Sequence, residues 1–321
     1  MPGKRVARAP STRKLHADPA GPDTVADVFD GFEARDLPTQ RGAIHAMVGG
    51  EGPPLLLLHG YPQTHLMWHA SAPLLAEHFT VVAADLSGYG DSLRPAPAGD
   101  HVPHSKRALA LDQVQAMASL GHERFAVAGH DRGGRVAYRM ALDHAERVSA
   151  LAVLDIVPTA EVWARADDKL ALGYWHWGFL AQPSPLPERL IGGDPDAYFD
   201  HHLLMIGLGS DRDAYPDEVM AAYRRQLDDA TAVNAICEDY RAGATIDRQL
   251  DEADRGREIT CPVLCLWGAR GALPLFYADV LDVWRPWAPG ITGRALDASH
   301  FLVEDQPREV AAELTAFLQA C

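Results

Sequence analysis

Asp131, Asp155 and His300 follow one another in this 321-residue chain in an order that suits covalent hydrolysis. Asp131 lies in AGHDRGGR (128–135), within the frame Gly129-His130-Asp131-Arg132-Gly133. That frame has the form of a nucleophile elbow, G-x-S-x-G, with aspartate in place of serine. The start of the helix predicted after it favours an ionised carboxylate. A carboxylate can attack an electrophilic carbon directly and form an ester. It is a poor agent for amide or ester cleavage, because the mixed anhydride formed would be too unstable to help. The residue type therefore points to displacement at an sp3 carbon. The resulting ester must be hydrolysed by water that a base activates, and His300 in DASHFLVE follows a predicted strand, where such a base belongs. A histidine base needs an orienting carboxylate. Two positions are usual for that acid: after the strand that follows the elbow, or after the next-to-last strand. The later one ends in WGARGALPL, without an acid, and the earlier one ends in LAVLDI, with Asp155. Asp155 is therefore expected to be the acid, and the plainer alternative is an aspartate that caps a turn.

Two further features bear on substrate and intermediate. Arg132 and Arg135 are three apart at the start of the predicted helix, on neighbouring parts of one face. On an arbitrary helix such a pair is surface charge. Beside a nucleophile elbow it could hold a substrate carboxylate through charge-assisted bonds of about 1.5–3 kcal/mol each. The dipeptide His59-Gly60 ends another strand, with Tyr61 next. In this architecture one oxyanion N–H comes from that loop and one from the residue after the nucleophile. By position these are the backbone amides of Tyr61 and Arg132.

Strand ends must bring these residues together. Residues 32–48 read as a β-hairpin, and PPLLLLHG (53–60), TVVAAD (80–85), RFAVAG (124–129) and SALAVLDI (149–156) as short buried strands. Helical patterns fit 67–78, 106–120 and 132–144. Such alternation predicts an α/β fold, a mostly parallel sheet with helices on both faces. It stops over 157–255, which is rich in aromatics, proline and helical patterns, and resumes at CPVLCLWG (261–268) and ITGRALDA (291–298), with a last helix from 307. The expected organisation is an α/β core of 25–156 and 256–321 with an inserted helical cap over 157–255.

Composition narrows the field. The formal net charge is −15, although the first seventeen residues carry Lys4, Arg5, Arg8, Arg13 and Lys14 and no acid. Residues 1–24 read as a basic, disordered tail without a secretory apolar segment. The acidic remainder disfavours nucleic acid, so an anionic substrate needs local arginines. The longest apolar runs, such as LLLL at 55–58, are too short to cross a membrane. Cys237, Cys261, Cys265 and Cys321 lack the paired spacing of a zinc site and read as free thiols of a cytoplasmic protein.

Separate segments, in order, resemble the fluoroacetate (haloacetate) dehalogenases, α/β-hydrolases with a helical cap. They are HGYPQTHLMWH (59–69), DLSGYGDS (85–92), AGHDRGGR (128–135), LAVLDIVPT (151–159), YWHWGFLAQPSPLPE (174–188), GGDPDAYF (192–199), CEDYRAGA (237–244) and SHF (299–301). The resemblance runs from about residue 25 to the C-terminus. It implies Asp131 as nucleophile, Asp155 as acid, His300 as base, and Arg132 and Arg135 as carboxylate ligands. It also implies a halide pocket of His176, Trp177 and Tyr240, whose imidazole N–H, indole N–H and phenol O–H could replace the hydration of a departing halide. Taken alone, WHW in a helical cap would read as packing. The family implies a small anionic haloacid as substrate, a homodimer, and no metal or organic cofactor. An epoxide hydrolase would share the aspartate, the base and the cap. Its cap needs tyrosines near the epoxide oxygen, and Tyr174, Tyr198, Tyr215, Tyr223 and Tyr240 lie in the insertion. The paired arginines argue against a neutral epoxide. A non-catalytic receptor explains neither the aspartate nor the complete base and acid.

Overall fold

The computed structural model describes residues 28–206 and 215–321. The basic segment 1–24 lies outside the described residues. Among these residues the strands are β1 (Phe32–Thr39), β2 (Gly42–Gly49), β3 (Pro54–Leu58), β4 (Thr80–Ala84), β5 (Phe125–His130), β6 (Val148–Leu154), β7 (Val263–Gly268) and β8 (Thr292–Leu296). They form one sheet in the order β1-β2-β4-β3-β5-β6-β7-β8. β1, β2 and β4 pair antiparallel, and every pairing from β4 to β8 is parallel. The α/β expectation is met, and for the expected reason. Parallel strands are covered on both faces, so Leu55–Leu58 of β3 are all buried without alternation.

α1 (Ala72–Ala76), α2 (Lys106–Ser119) and α3 (Asp131–Asp143) belong to the first half of the chain, and α3 packs on β5 and β6 beside α2. The single helix expected over 67–78 is instead a 3₁₀ turn, His65–Trp68, followed by the short α1. Pro73 explains the break. It has no N–H to donate and is tolerated only in the first turn, so the helix must restart just before it.

Strand order reverses at β3, because β4 lies on one side of it and β5 on the other. The crevice at such a switch point, outside the carboxyl ends of the strands, is where open α/β sheets bind ligands. Between β6 and β7 the chain forms α4 (Thr159–Ala164), α5 (Asp168–Gly173), α6 (Trp175–Leu180), α7 (Leu186–Gly193), α8 (Pro195–Ile206), α9 (Asp217–Asp228), α10 (Ala230–Ala244) and α11 (Ile246–Ala253). α10 is the hub of this layer, touching α6, α7, α9 and α11. The fold closes with α12 (Leu273–Phe276), α13 (Val280–Trp284), α14 (Leu302–Asp305) and α15 (Pro307–Gln319). No helix among the described residues is long and apolar enough to cross a membrane.

Candidate active site

The turn from β5 into α3 is as sharp as its glycine frame implies. Asp131 has φ 43°, a left-handed value that few side chains tolerate. A Cβ on Gly133 would sit 2.4 Å from the His59 carbonyl oxygen, and one on Gly129 would sit 2.4 Å from that of Gly133. Only glycine at both ends lets the elbow press against β3. Gly133 N–H then donates to that His59 carbonyl at 2.8 Å, locking the turn to the neighbouring strand. Asp131 is buried, and its Oδ2 accepts from the Tyr61 backbone N–H at 3.1 Å. Burial pushes its carboxyl toward the neutral form. The charges of His300, Arg132 and Arg135 outweigh that and hold it well below the usual carboxylate range. The Arg132 amide is in the first turn of α3, where N–H groups have no partner within the helix.

Asp155 follows β6 and also has a left-handed backbone, φ 52°. Its Oδ1 accepts from Gly268 N–H at 2.9 Å at the end of β7, and its Oδ2 lies 2.6 Å from His300 Nδ1. His300 comes from the loop between β8 and α14, so three neighbouring strand ends build the pair. A carboxylate only accepts, so Nδ1 carries the hydrogen and Nε2 presents its lone pair. Burial lowers the affinity of His300 for a proton. The bond to Asp155 and the charges of Asp155 and Asp131 outweigh it and leave the imidazole pKa raised.

Asp131 and His300 face a cavity of about 460 Å³ whose wall also includes Tyr61, Arg135, His176 and Trp177. Arg135 donates through Nη1 to the Val157 carbonyl at 3.0 Å and to Thr159 Oγ1 at 3.1 Å, while its buried Nε has no partner. Arg132 is engaged differently. Its Nε donates to Asp239 Oδ2 at 2.6 Å and its Nη2 to the Asp239 carbonyl at 2.8 Å, and its guanidinium lies 4.1 Å over the Tyr240 ring. Asp239 also accepts from Lys106 Nζ and from Tyr89 Oη at 3.0 Å. Both Lys106 and Asp239 are buried. Sequence reasoning passed over this network, although CEDYRAGA held a clue: an acid immediately before Tyr240.

His176 and Trp177 of α6 and Tyr240 of α10 come together over the elbow. Ring centroids are 5.7 Å apart for His176–Tyr240 and 6.3 Å for Trp177–Tyr240. The Tyr240 hydroxyl and the Trp177 indole N–H have no hydrogen-bond partner among the described residues. Burial, followed by the charge of Asp131, raises the Tyr240 pKa and keeps its proton in place. Burial holds His176 neutral, so it offers one N–H. Behind it stands a group the sequence reading did not single out. His202 of α8 is buried 4.6 Å from His176, ring to ring, with neither nitrogen bonded. The four cysteines are free.

A family model for the α/β-hydrolase fold matches residues 53–307. The chain is 46% identical over 291 residues to a fluoroacetate dehalogenase of a Burkholderia species, covering 91% of this chain and 95% of that protein. It is 31% identical over 272 residues to a soluble epoxide hydrolase of Corynebacterium sp. (strain C12), covering 83% and 90%. The crystal structure of a provisionally assigned α/β-hydrolase from Nostoc sp PCC 7120 superposes with a TM-score of 0.87 at 49% identity, covering 90% of this chain and 99% of that one.

Proposed function

The chain belongs to the α/β-hydrolase family and, within it, to the haloacetate dehalogenases, hydrolases that act on carbon–halide bonds; from that premise we propose that it converts short 2-haloacids such as fluoroacetate and chloroacetate to the 2-hydroxy acid and halide by way of an Asp131 ester. The supporting observation is the asymmetry of the Asp131 carboxylate. Oδ2 is held by the Tyr61 amide, which leaves Oδ1 to attack the halogen-bearing carbon in line. Arg135, with Arg132 behind it, holds the substrate carboxylate. Halide leaves toward His176, Trp177 and Tyr240, whose donors replace part of its hydration. The C–O bond to Asp131 forms as the carbon–halogen bond breaks, and the halogen keeps the electron pair.

Hydrolysis follows. His300 Nε2 takes a proton from water, Asp155 stabilises the imidazolium, and the hydroxide adds to the Asp131 ester carbonyl. The Tyr61 amide, already on Oδ2, supports the oxyanion. Collapse breaks the bond from the Asp131 carboxyl carbon to Oδ1, the imidazolium gives its proton to the departing alkoxide to form the 2-hydroxy acid, and the regenerated Asp131 carboxyl releases its proton to solvent. The steps influence one another electrically. The negative charge of Asp131 helps raise the His300 pKa, and esterification removes that charge. The base is therefore freed of its proton at the stage that needs it. The family resemblance also supports a cytoplasmic homodimer that works without metal or organic cofactor.

The test is fluoride and chloride release from fluoroacetate and chloroacetate, with Asp131→Asn alongside, and a single turnover in ¹⁸O-water. Label in the Asp131 carboxylate is the expected result, and its absence rules out the covalent route. Epoxide hydrolysis is the second reading, favoured by the cap tyrosines. The Arg135 guanidinium on the cavity wall weighs against it, because a neutral epoxide offers that charge no partner. Turnover of styrene oxide without halide release from either haloacid would reverse the ranking.

A further inference from the structure

A closed chain of buried polar groups runs beneath His300, away from the cavity. His130 Nε2 lies 2.8 Å from the His300 carbonyl oxygen, and His130 Nδ1 lies 3.1 Å from Gln63 Oε1. Gln63 Nε2 meets Glu304 Oε2, and Glu304 Oε1 accepts from Tyr223 Oη at 2.7 Å. His130, Gln63 and Tyr223 have no exposure at all, and Glu304 has 2%.

With the polar atoms placed this way, both nitrogens of His130 face acceptors. His130 would then have to be an imidazolium, 4.6 Å ring to ring from His300. Glu304 would be a fully buried carboxylate with two neutral donors and no cation. Both states are expensive to bury. The groups around Glu304 supply no relief. They are Tyr223 of α9, Gln63 of the loop after β3, and its neighbour Asp305. His65, in the 3₁₀ turn packed on α14, is bonded to Asp85 at 2.9 Å, and Arg308 of α15 is exposed. His130 faces His300, Asp131 and His59.

The oxygen and nitrogen of a glutamine amide exchange places by a half-turn. With Gln63 turned, its NH₂ donates to His130 Nδ1, and His130 Nε2–H donates to the His300 carbonyl. The Gln63 oxygen then faces Glu304 and needs a hydrogen from it. Every polar atom is satisfied if the carboxyl carries one proton and the imidazole is neutral.

We propose that Glu304 is a neutral carboxylic acid in the working enzyme and a positioning residue, which through Gln63 and His130 tethers the His300 backbone. Burial pushes the Glu304 carboxyl up to about 8 and the His130 imidazole down to about 3, in keeping with that arrangement. Ionised Glu304 draws the Gln63 NH₂ to itself and turns the amide oxygen to His130 Nδ1. Neutral His130 must then carry its single hydrogen on Nδ1, and the His300 carbonyl loses its donor. The base is loosened as pH rises past the Glu304 midpoint.

The inference rests on the proposed role of His300, and two readouts keep the two apart. Infrared difference spectra of the whole protein should show the carbonyl stretch of a neutral carboxylic acid at pH 7. That band should vanish near pH 8 and be absent in Glu304→Gln. With chloroacetate, wild-type kcat should fall above the same pH. Glu304→Gln, whose NH₂ replaces the acid hydrogen, should lose no more than about threefold at pH 7 and should lack this alkaline fall, whereas Glu304→Leu should lose about tenfold or more and accumulate alkylated Asp131. Absence of the band at pH 7 overturns the inference. So does an alkaline fall that persists in Glu304→Gln, or equal damage from Gln and Leu. A band that titrates as described, in a protein that releases halide from neither haloacid, leaves the neutral acid standing and removes the dehalogenase reading.

Discussion

His300 Nδ1 lies 2.6 Å from Asp155 Oδ2, a contact between residues 145 positions apart that decides which imidazole nitrogen carries the hydrogen. The second Asp155 oxygen is pinned by Gly268 N–H at 2.9 Å, so the carboxylate cannot swing away. In Asp155→Asn an amide NH₂ can face Nδ1 and put the imidazole hydrogen on Nε2, where it cannot act as a base. Displacement should survive and hydrolysis should fail. The expected result is a burst of one halide per site, a kcat lower by about 10³–10⁴-fold, and alkylated Asp131 in the intact mass. Steady turnover at the wild-type rate would remove Asp155 from its role.

Asp131→Asn should abolish halide release and also change its neighbour. The Asp131 charge is one of the causes that raise the His300 pKa, so its removal must lower it. Nuclear magnetic resonance titration should place the His300 midpoint above the ordinary histidine value of about 6.5 in the resting enzyme and lower in Asp131→Asn. Esterification removes the same charge. The acid limb of ester hydrolysis, where loss of a proton from His300 restores activity, should therefore lie at lower pH than the resting-enzyme midpoint. Coincidence of the three values would remove the coupling.

Tyr240→Phe and Trp177→Phe each remove one donor from the proposed leaving-group pocket. A hydrogen bond to a charged group is worth about 1.5–3 kcal/mol, so fluoride release should fall by roughly 10- to 100-fold. Chloride is held less tightly by its hydration and should be affected less. The check is the ratio of fluoride to chloride release measured with ion-selective electrodes. An equal loss for both would assign the two rings to packing.

Asp239→Ala should destabilise the protein by about 3–5 kcal/mol, because it leaves the buried cations Arg132 and Lys106 without a shared partner. Chemical denaturation is the measurement. A shift under about 1 kcal/mol would mean that water, or Asp247, whose Oδ2 lies 3.7 Å from Lys106 Nζ, replaces the lost carboxylate.

The sheet was legible because its strands are short apolar runs bounded by turn residues, and each element near the elbow follows from that alternation. Asp131 was legible because its glycine frame has one geometric meaning. Asp155 emerged by comparison of two strand ends, only one of which carries an acid. Other features depend on packing across the chain. Spacing placed Arg132 and Arg135 on one helix face, but apart from the acid next to Tyr240 nothing pointed to Asp239, 107 residues later, as the partner of the first of them. Gln63 and Glu304, 241 residues apart, are ordinary polar residues until burial leaves them only each other and a few neighbours. The break before Pro73 was readable from proline chemistry alone, yet the apolar pattern around it read as one helix.

Asp131 and Asp155 both occupy left-handed backbone positions. Among ordinary residues, glycine, asparagine and aspartate visit that region most cheaply. Mutational drift at either site is therefore channelled toward Asn or Gly, replacements that spare the fold while erasing the chemistry. A descendant of this chain that lost its reaction would still be well folded, and its history would be written in an Asn or Gly at one of two positions. For the bench the same fact makes Asn the clean substitution. A bulkier or β-branched side chain there would disturb the backbone as well as the reaction, and the two effects could not be separated.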